Sequence, residues 1–160
     1  MARVERDRED LLAEATALVE RVELELPGRP DHVLIGFRAS GCGSLYLGPD
    51  EAYHFNTDGA LRRAYRDGVL YKAERGRLVG LWRQRTSQEV QLIRRELDPA
   101  ATAEFSARLS TRLEELQQAL VEKPFRVMGQ VPSDADVVGR ATTWLGSLPP
   151  GAIARTPHAR

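Results

Sequence analysis

Cysteine is nearly absent from this chain, and Cys42 is the single one among 160 residues. A lone cysteine cannot form an internal disulfide, so the sequence favours a reducing compartment and we expect a cytoplasmic protein. Long apolar runs are missing as well. No window approaches the roughly 18 apolar residues that a membrane helix needs, which predicts that there is no membrane partner. The first residues, MARVERDREDLL, carry charges where a signal peptide has an apolar stretch.

Several motifs that carry chemistry are also absent. The stretch Gly41-Cys42-Gly43-Ser44 lacks the third glycine of a dinucleotide fingerprint, since Tyr46 stands at that position, and it has no Walker A lysine. No cysteine or histidine pair has the spacing of a zinc site. The aromatic motif of RNA-recognition domains, the KH loop and zinc-finger spacings are missing too. The sequence therefore predicts no cofactor and no metal, and it favours a protein that is not an enzyme.

One small cluster keeps an enzyme open as an alternative. Cys42 could act as a nucleophile if a base lay beside it, and His54 stands in a predicted strand that could neighbour the Cys42 loop. This alternative is a small enzyme or a ligand-binding, barrel-like protein with a pocket near these two residues. Asp58 and Asp67 do not add to it, because each precedes a glycine and is explained by turn chemistry.

The most regular feature of the sequence is a run of short strands and turns from Glu51 to Leu97. Asp67-Gly68, between two strand-like runs, is the strongest hairpin signal, because both central residues of a type I′ turn need a positive φ. Tight hairpins are expected at residues 56–59, 67–68 and 75–76. Neither face of the strands is cleanly polar, so the sheet should be covered on both faces or curl towards a barrel.

Three helices are predicted around this sheet. Residues 7–22 place apolar side chains at helical spacing, namely Leu11, Leu12, Ala15, Leu18, Val19 and Val22. A long helix should begin at Pro99, behind the N-cap Asp98, and reach residue 122. A shorter helix is expected over residues 135–148.

The fold class that these patterns predict is α+β. A curved antiparallel meander of about six to eight strands is packed by the N-terminal helix, the long helix after the sheet and the short C-terminal helix. The apolar fraction of 42% and the charged fraction of 29% are those of an ordinary globular protein. We therefore expect one domain over residues 1–148 and a flexible tail over residues 149–160.

The turn rhythm Asp-Gly-x-Leu resembles the short hairpins of tyrosine-aspartate repeat proteins. It is carried by residues 56–61 and 67–71. Two units are too few for an array that buries a continuous core. The resemblance implies hairpin geometry and no function.

The net charge of zero hides an asymmetry along the chain. Residues 1–59 contain 6 Lys/Arg and 12 Asp/Glu, net −6, whereas residues 60–97 contain 10 Lys/Arg and 4 Asp/Glu, net +6. The acidic part could fold back and neutralise the basic strands within the monomer. Alternatively, the basic strands are free for an anionic partner. The equal and opposite charges favour the first interpretation.

The leading functional prediction is a non-catalytic binding or accessory module. Arginine offers planar donors for phosphate and aromatic rings offer surfaces for stacking bases, so the partner would be nucleic acid or an acidic protein. A structural subunit of a larger assembly is a further alternative. The candidate binding residues are Arg62, Arg63, Tyr65, Arg66, Tyr71, Lys72, Trp82, Arg83 and Arg85.

Overall fold

The computed structural model describes residues 20–26, 32–38, 42–85, 89–122, 126–128 and 134–155. These residues form nine strands and two helices. The strands are β1 (Glu20–Leu24), β2 (Val33–Phe37), β3 (Gly43–Tyr46), β4 (Glu51–Phe55), β5 (Leu61–Arg66), β6 (Val69–Glu74), β7 (Arg77–Arg85), β8 (Val90–Glu96) and β9 (Arg126–Met128). The helices are α1 (Pro99–Glu122) and α2 (Asp134–Ser147).

The strands build one antiparallel sheet. Strands β1 to β8 follow one another as an eight-stranded meander, and the short β9 pairs with the outer side of β1. Within the described residues the two edge strands, β8 and β9, do not pair with each other, so the sheet is open and is not a closed barrel. The predicted α+β class and the antiparallel meander are therefore confirmed.

The hairpin turns show why local chemistry predicted the meander. Asp67 and Gly68 have φ values of 52° and 87°, and Arg75 and Gly76 have φ values of 55° and 81°. Two consecutive positive φ values are those of a type I′ turn, whose twist matches that of the flanking strands. The turn at residues 56–59 closes with a hydrogen bond of 2.9 Å from the Gly59 amide to the Asn56 carbonyl.

The prediction of an N-terminal helix through Val22 is wrong at its end, because Glu20–Leu24 is strand β1. Val22 fits the helical spacing of the preceding residues, but it also alternates with charged neighbours at the period of a strand. Pairing with β2 on one side and β9 on the other decides the outcome. Residues 7–19, the rest of the predicted helix, lie outside the described residues.

The long helix begins and ends as predicted. The carboxylate of Asp98 accepts a hydrogen bond of 2.8 Å from the Ala101 amide, and Pro99 fills the first helical position. Its apolar residues at helical spacing are buried, namely Phe105, Leu109, Leu113, Leu116 and Leu120. Neither helix of the described chain is long and apolar enough to cross a membrane.

Strand register divides the sheet side chains between two faces. Val22, Ile35, Leu45, Tyr53 and Ala64 align across β1 to β5 on the side that we call the helix face. These residues share one core with the apolar residues of α1 and α2. The opposite side, the second face, carries a separate apolar cluster of Ala52, Tyr65, Leu70 and Leu81.

The stretch after α2 packs along the sheet. The Leu61 amide donates to the Ala152 carbonyl at 3.0 Å, and the Ala154 amide donates to the Leu61 carbonyl at 2.9 Å. Ala154 is only 1% exposed. Residues 152–154 are thus held by backbone hydrogen bonds and pack against Ala60 and Ala73, in a range where the sequence predicted a flexible tail. Three apolar residues are too short a run to be recognised as core-forming from the sequence.

Candidate functional site

The structure distributes the predicted binding residues over both faces of the sheet. Arg66, Tyr71 and Trp82 lie on the helix face. Four other candidates lie on the second face by strand register, namely Arg63, Tyr65, Lys72 and Arg83. Arg62 is the extra residue of a β-bulge opposite His54 and Phe55, and Arg85 stands in β7 opposite Val90. The single arginine-aromatic surface expected from the sequence is therefore two surfaces.

A cleft of about 460 Å³ on the helix face brings three of these residues together. It lies between the first turns of α1 and strands β6 to β8, and we call it the cleft. Its size falls within the range of about 300–1,000 Å³ that is usual for small-ligand sites. Its lining includes Arg66, Tyr71, Gly80, Trp82, Arg95 and Phe105, together with the carboxylates of Glu96, Asp98 and Glu104.

Gly80 opens the floor of the cleft. It pairs with Tyr71 on one side and with Arg95 on the other, so a row of three side-chain positions has no side chain at its centre. A Cβ atom at Gly80 would meet the Tyr71 ring and the Val69 side chain at 3.5 Å, which is ordinary contact. A larger side chain there would fill the space that the cleft now contains.

Arg66 is the buried cation of the cleft. Arg66 is 6% exposed, and its Nη1 donates a hydrogen bond to the Phe105 carbonyl oxygen at 3.2 Å. The guanidinium carbon lies 4.1 Å from the centre of the Phe105 ring. Arg66 makes no ion pair with any described carboxylate. The nearest buried carboxylate is Glu51, its register partner in β4, whose oxygens are already engaged by Tyr53, Arg108 and Arg112. The direct contacts of the guanidinium are therefore a carbonyl and an aromatic face.

Aromatic rings surround this cation. The Phe105 ring meets Tyr71 edge-on, with the ring centres 4.9 Å apart and an angle of 62° between the planes. Burial raises the pKa of the Tyr71 phenol, and the nearby guanidinium of Arg66 opposes that rise. At the outer side, the guanidinium of Arg95 lies 5.0 Å from the Trp82 ring centre. The cleft thus offers two arginines and three aromatic rings to one ligand.

Two of the carboxylates near the cleft already have partners. Glu96 accepts a hydrogen bond of 2.9 Å from Arg77, and Asp98 caps α1 through the Ala101 amide. Glu104 is exposed at the rim. Glu96 and Asp98 are therefore hydrogen-bonded to other groups and Glu104 is exposed to solvent, whereas Arg66 is buried.

An ion network holds α1 against the sheet and so fixes one wall of the cleft. Glu51 is 1% exposed, and the Arg112 Nε donates to both of its oxygens at 3.1 and 3.0 Å. The Tyr53 hydroxyl donates to Glu51 at 2.6 Å, and Arg108 bridges from Glu51 to Asp67. Burial alone would raise the pKa of Glu51, but these hydrogen bonds and positive charges outweigh it and lower the pKa. Burial and the Glu51 charge raise the pKa of Tyr53.

The two residues of the enzyme alternative are Cys42, which is partly exposed, and His54 in β4. His54 Nδ1 lies 2.6 Å from the Ser44 hydroxyl oxygen on the second face. Ser44 is 1% exposed, so its hydroxyl is out of reach of a substrate. Among the described residues, no three His, Cys, Asp or Glu side chains are grouped as a metal site requires.

Sequence reasoning missed Gly80, Arg95 and Phe105 as cleft residues. A glycine inside a strand is a signal for close approach or open space, and Gly80 could have been read in that way. Phe105 lies 39 positions after Arg66, and no local pattern connects the two. The Glu51 network was missed for the same reason, since Glu51 and Arg112 are 61 positions apart.

Comparison of this chain with protein-family models, with curated proteins and with solved structures finds no match. What the protein does is therefore inferred from its own residues.

Proposed function

We propose that this chain is a non-catalytic binding module for single-stranded nucleic acid, with one base stacked in the cleft and a phosphate beside Arg66. The observation that carries the proposal is the burial of Arg66 without a direct ion pair to a described carboxylate, in a cleft of ligand size. Only one of the five N–H donors of its guanidinium is given to a described protein atom. The oxygens of a phosphate would give Arg66 a direct negative partner and accept hydrogen bonds from its remaining N–H groups.

The aromatic residues favour a nucleotide over a simple anion. Trp82 and Tyr71 flank the open floor at Gly80, and both are partly exposed. Base–aromatic stacking contributes about 1–3 kcal/mol per base and tolerates any sequence, because every base has a π-face. Arg95, stacked over Trp82, extends the same surface with a second cation. An acidic protein is the alternative anionic partner for these cations.

The other functions retain less support. A substrate pocket around Cys42 and His54 would need the His54 ring to act on the partly exposed Cys42 thiol, whereas the contact that the structure gives to His54 Nδ1 is the Ser44 hydroxyl. A structural subunit would use the exposed edge strand β8, where Val90 is 44% exposed and Leu92 is 38% exposed. An edge strand of this kind can pair with another chain.

The test is a binding titration with fluorescently labelled oligo(dT) and oligo(U), followed by anisotropy. We expect binding near 50 mM salt that weakens steeply as salt rises, since the logarithm of the affinity falls by about 0.7 per neutralised phosphate for each decade of salt. Trp82→Ala should weaken binding by about 5- to 150-fold, the equivalent of a lost stacking contact of about 1–3 kcal/mol.

A matched pair of arginine variants separates the cleft from diffuse charge. Arg95 and Arg94 are neighbours on β8 with side chains on opposite faces. Arg95→Gln should weaken binding several-fold, whereas Arg94→Gln, which makes the same charge change, should leave it nearly unchanged. Equal losses from the two variants would mean that general charge attracts the strand and that the cleft does not hold it. The absence of any binding at low salt would reject nucleic acid as the partner.

A further inference from the structure

The second face of the sheet carries a continuous apolar row. Strand register aligns six residues across β2 to β7, namely Leu34, Tyr46, Ala52, Tyr65, Leu70 and Leu81. Neighbouring strands are about 4.8 Å apart, so the five spacings make a row about 24 Å long. Cations stand on both sides of it. Arg63 and Lys72 lie on one side, and Arg83 lies on the other.

This row is buried, although both described helices pack on the opposite face. Leu70 is 0% exposed, Ala52 is 3%, and Leu81 and Tyr65 are 8% and 9%. Cross-strand neighbours about 5 Å away shield the flanks of a side chain on a sheet and leave its outer end open. Among the described residues, none from α1 or α2 belongs to this cluster. Something further must therefore cover the row.

We propose that the chain's own acidic N-terminal segment, residues 7–19, docks along this apolar row. The segment presents Leu11, Leu12, Ala15, Leu18 and Val19 at helical spacing, and it contains four Asp/Glu against one Arg, net −3. Its apolar side chains suit the row, and its carboxylates suit the cations on both sides of the row. The charge asymmetry along the sequence thus has a structural counterpart on this face.

The position of β1 allows the segment to reach the row. The segment joins the sheet at Glu20, the first residue of β1, and β1 lies beside β2, where the row begins. As a helix, 13 residues span about 20 Å, close to the length of the row, and an extended chain would reach further.

The docked segment has a consequence for ligand binding. Its carboxylates occupy the side of the sheet that carries Arg63, Lys72 and Arg83, so an anionic partner is directed to the helix face. The two surfaces into which the sheet divides the arginines then have different roles, one internal and one for ligand. Docking of the segment on the second face does not depend on what the cleft binds.

Thiol labelling of the full chain tests the docking. The background is Cys42→Ser, which removes the only cysteine. Ala52→Cys then reports on the second face, and Ala64→Cys, at a residue that is 0% exposed in β5, reports on the helix face. Both reporters should be labelled slowly when the segment is native, because labelling requires local opening.

Changes in the segment should then act on one reporter alone. The double variant Leu12→Asp/Leu18→Asp places two charges on the apolar side of the segment. It should speed labelling at position 52 by about tenfold or more, while position 64 stays protected. The matched control Ala13→Asp adds the same kind of charge on the other side of the helical pattern and should change neither rate. If both reporters become fast, the chain has unfolded, and the milder Leu18→Ala is measured with the same two reporters.

Three results would overturn the proposal. One is a labelling rate at position 52 that is unchanged by the Asp variants and by Leu18→Ala. Another is an effect of Ala13→Asp as large as that of the paired change. The third is a rate at position 52 that rises on dilution of the protein, which would mean that a second copy of the chain covers the row.

Discussion

Glu51→Gln gives the sharpest test of the network that holds α1 on the sheet. Glu51 is 1% exposed, and it accepts a hydrogen bond from the Tyr53 hydroxyl. Its two carboxylate oxygens also share the Arg112 Nε–H. Glutamine keeps the shape of the side chain but removes the charge that Arg112 faces. Removing one partner of a buried ion pair lowers the free energy of unfolding by about 3–5 kcal/mol. We expect about 3 kcal/mol here, because the Arg112 side chain is 22% exposed.

The measurement is urea unfolding followed by circular dichroism, together with thermal melting. For a domain of this size, about 3 kcal/mol corresponds to a fall in Tm of about 6–12 °C. The control is Asp67→Asn, the same carboxylate-to-amide change on the exposed end of the network, where Asp67 is 65% exposed. An exposed ion pair contributes about 0.2–1 kcal/mol, so this variant should melt close to the unchanged protein.

The pH dependence supplies the refuting result. The pKa of Glu51 is lowered in the folded protein from an ordinary value of 4.5. A lowered pKa contributes stability that is fully present above the unfolded value and is lost as pH falls through the folded value. The difference between the unchanged protein and Glu51→Gln should therefore be full at pH 7 and shrink below 4.5. A difference that stays constant down to pH 3, or an equal effect of Asp67→Asn, would contradict the assignment.

The remaining predictions concern the core and the cleft. Gly80→Val should keep or raise the Tm, because valine suits a strand and a Cβ fits there, yet it should abolish oligonucleotide binding by filling the cleft. Gly43→Ala should lower the free energy of unfolding by about 1–3 kcal/mol in urea titrations, since its Cβ would lie 2.3 Å from Trp144. Gly139→Ala in α2, where an added Cβ atom meets nothing within 4 Å, should raise the free energy of unfolding by about 0.5–1 kcal/mol in the same titrations. Phe105→Ala should lower it by about 3–5 kcal/mol, and an unchanged urea midpoint would contradict the central packing of this ring.

Much of the fold could be predicted because its signals are local. The Asp67-Gly68 and Arg75-Gly76 turns need positive φ values, and the residues that adopt them are visible in the sequence. Asp98 and Pro99 mark the start of α1 by their own capping chemistry, and the apolar spacing that follows predicts its buried side. Each of these features is a property of a few neighbouring residues.

The site was predicted less well because alternate residues of a strand point to opposite faces. The candidate set combined Arg63 and Lys72 with Arg66 and Tyr71, and these two pairs lie on opposite sides of the same hairpin. The sequence showed that arginines and aromatic rings are concentrated in these strands. It did not show which of them share a face with α1.

Local backbone preferences and apolar spacing were enough to predict the succession of hairpins after Glu51, the tight turns between them and the ends of the long helix. Residues Glu20–Leu24 form a strand because pairing with β2 and β9 outweighs a helical pattern. Packing of α1 on the sheet likewise buries Arg66 against Phe105, 39 positions later in the chain. Contacts over such separations depend on how α1 packs across the sheet, and no short stretch of sequence contains that information.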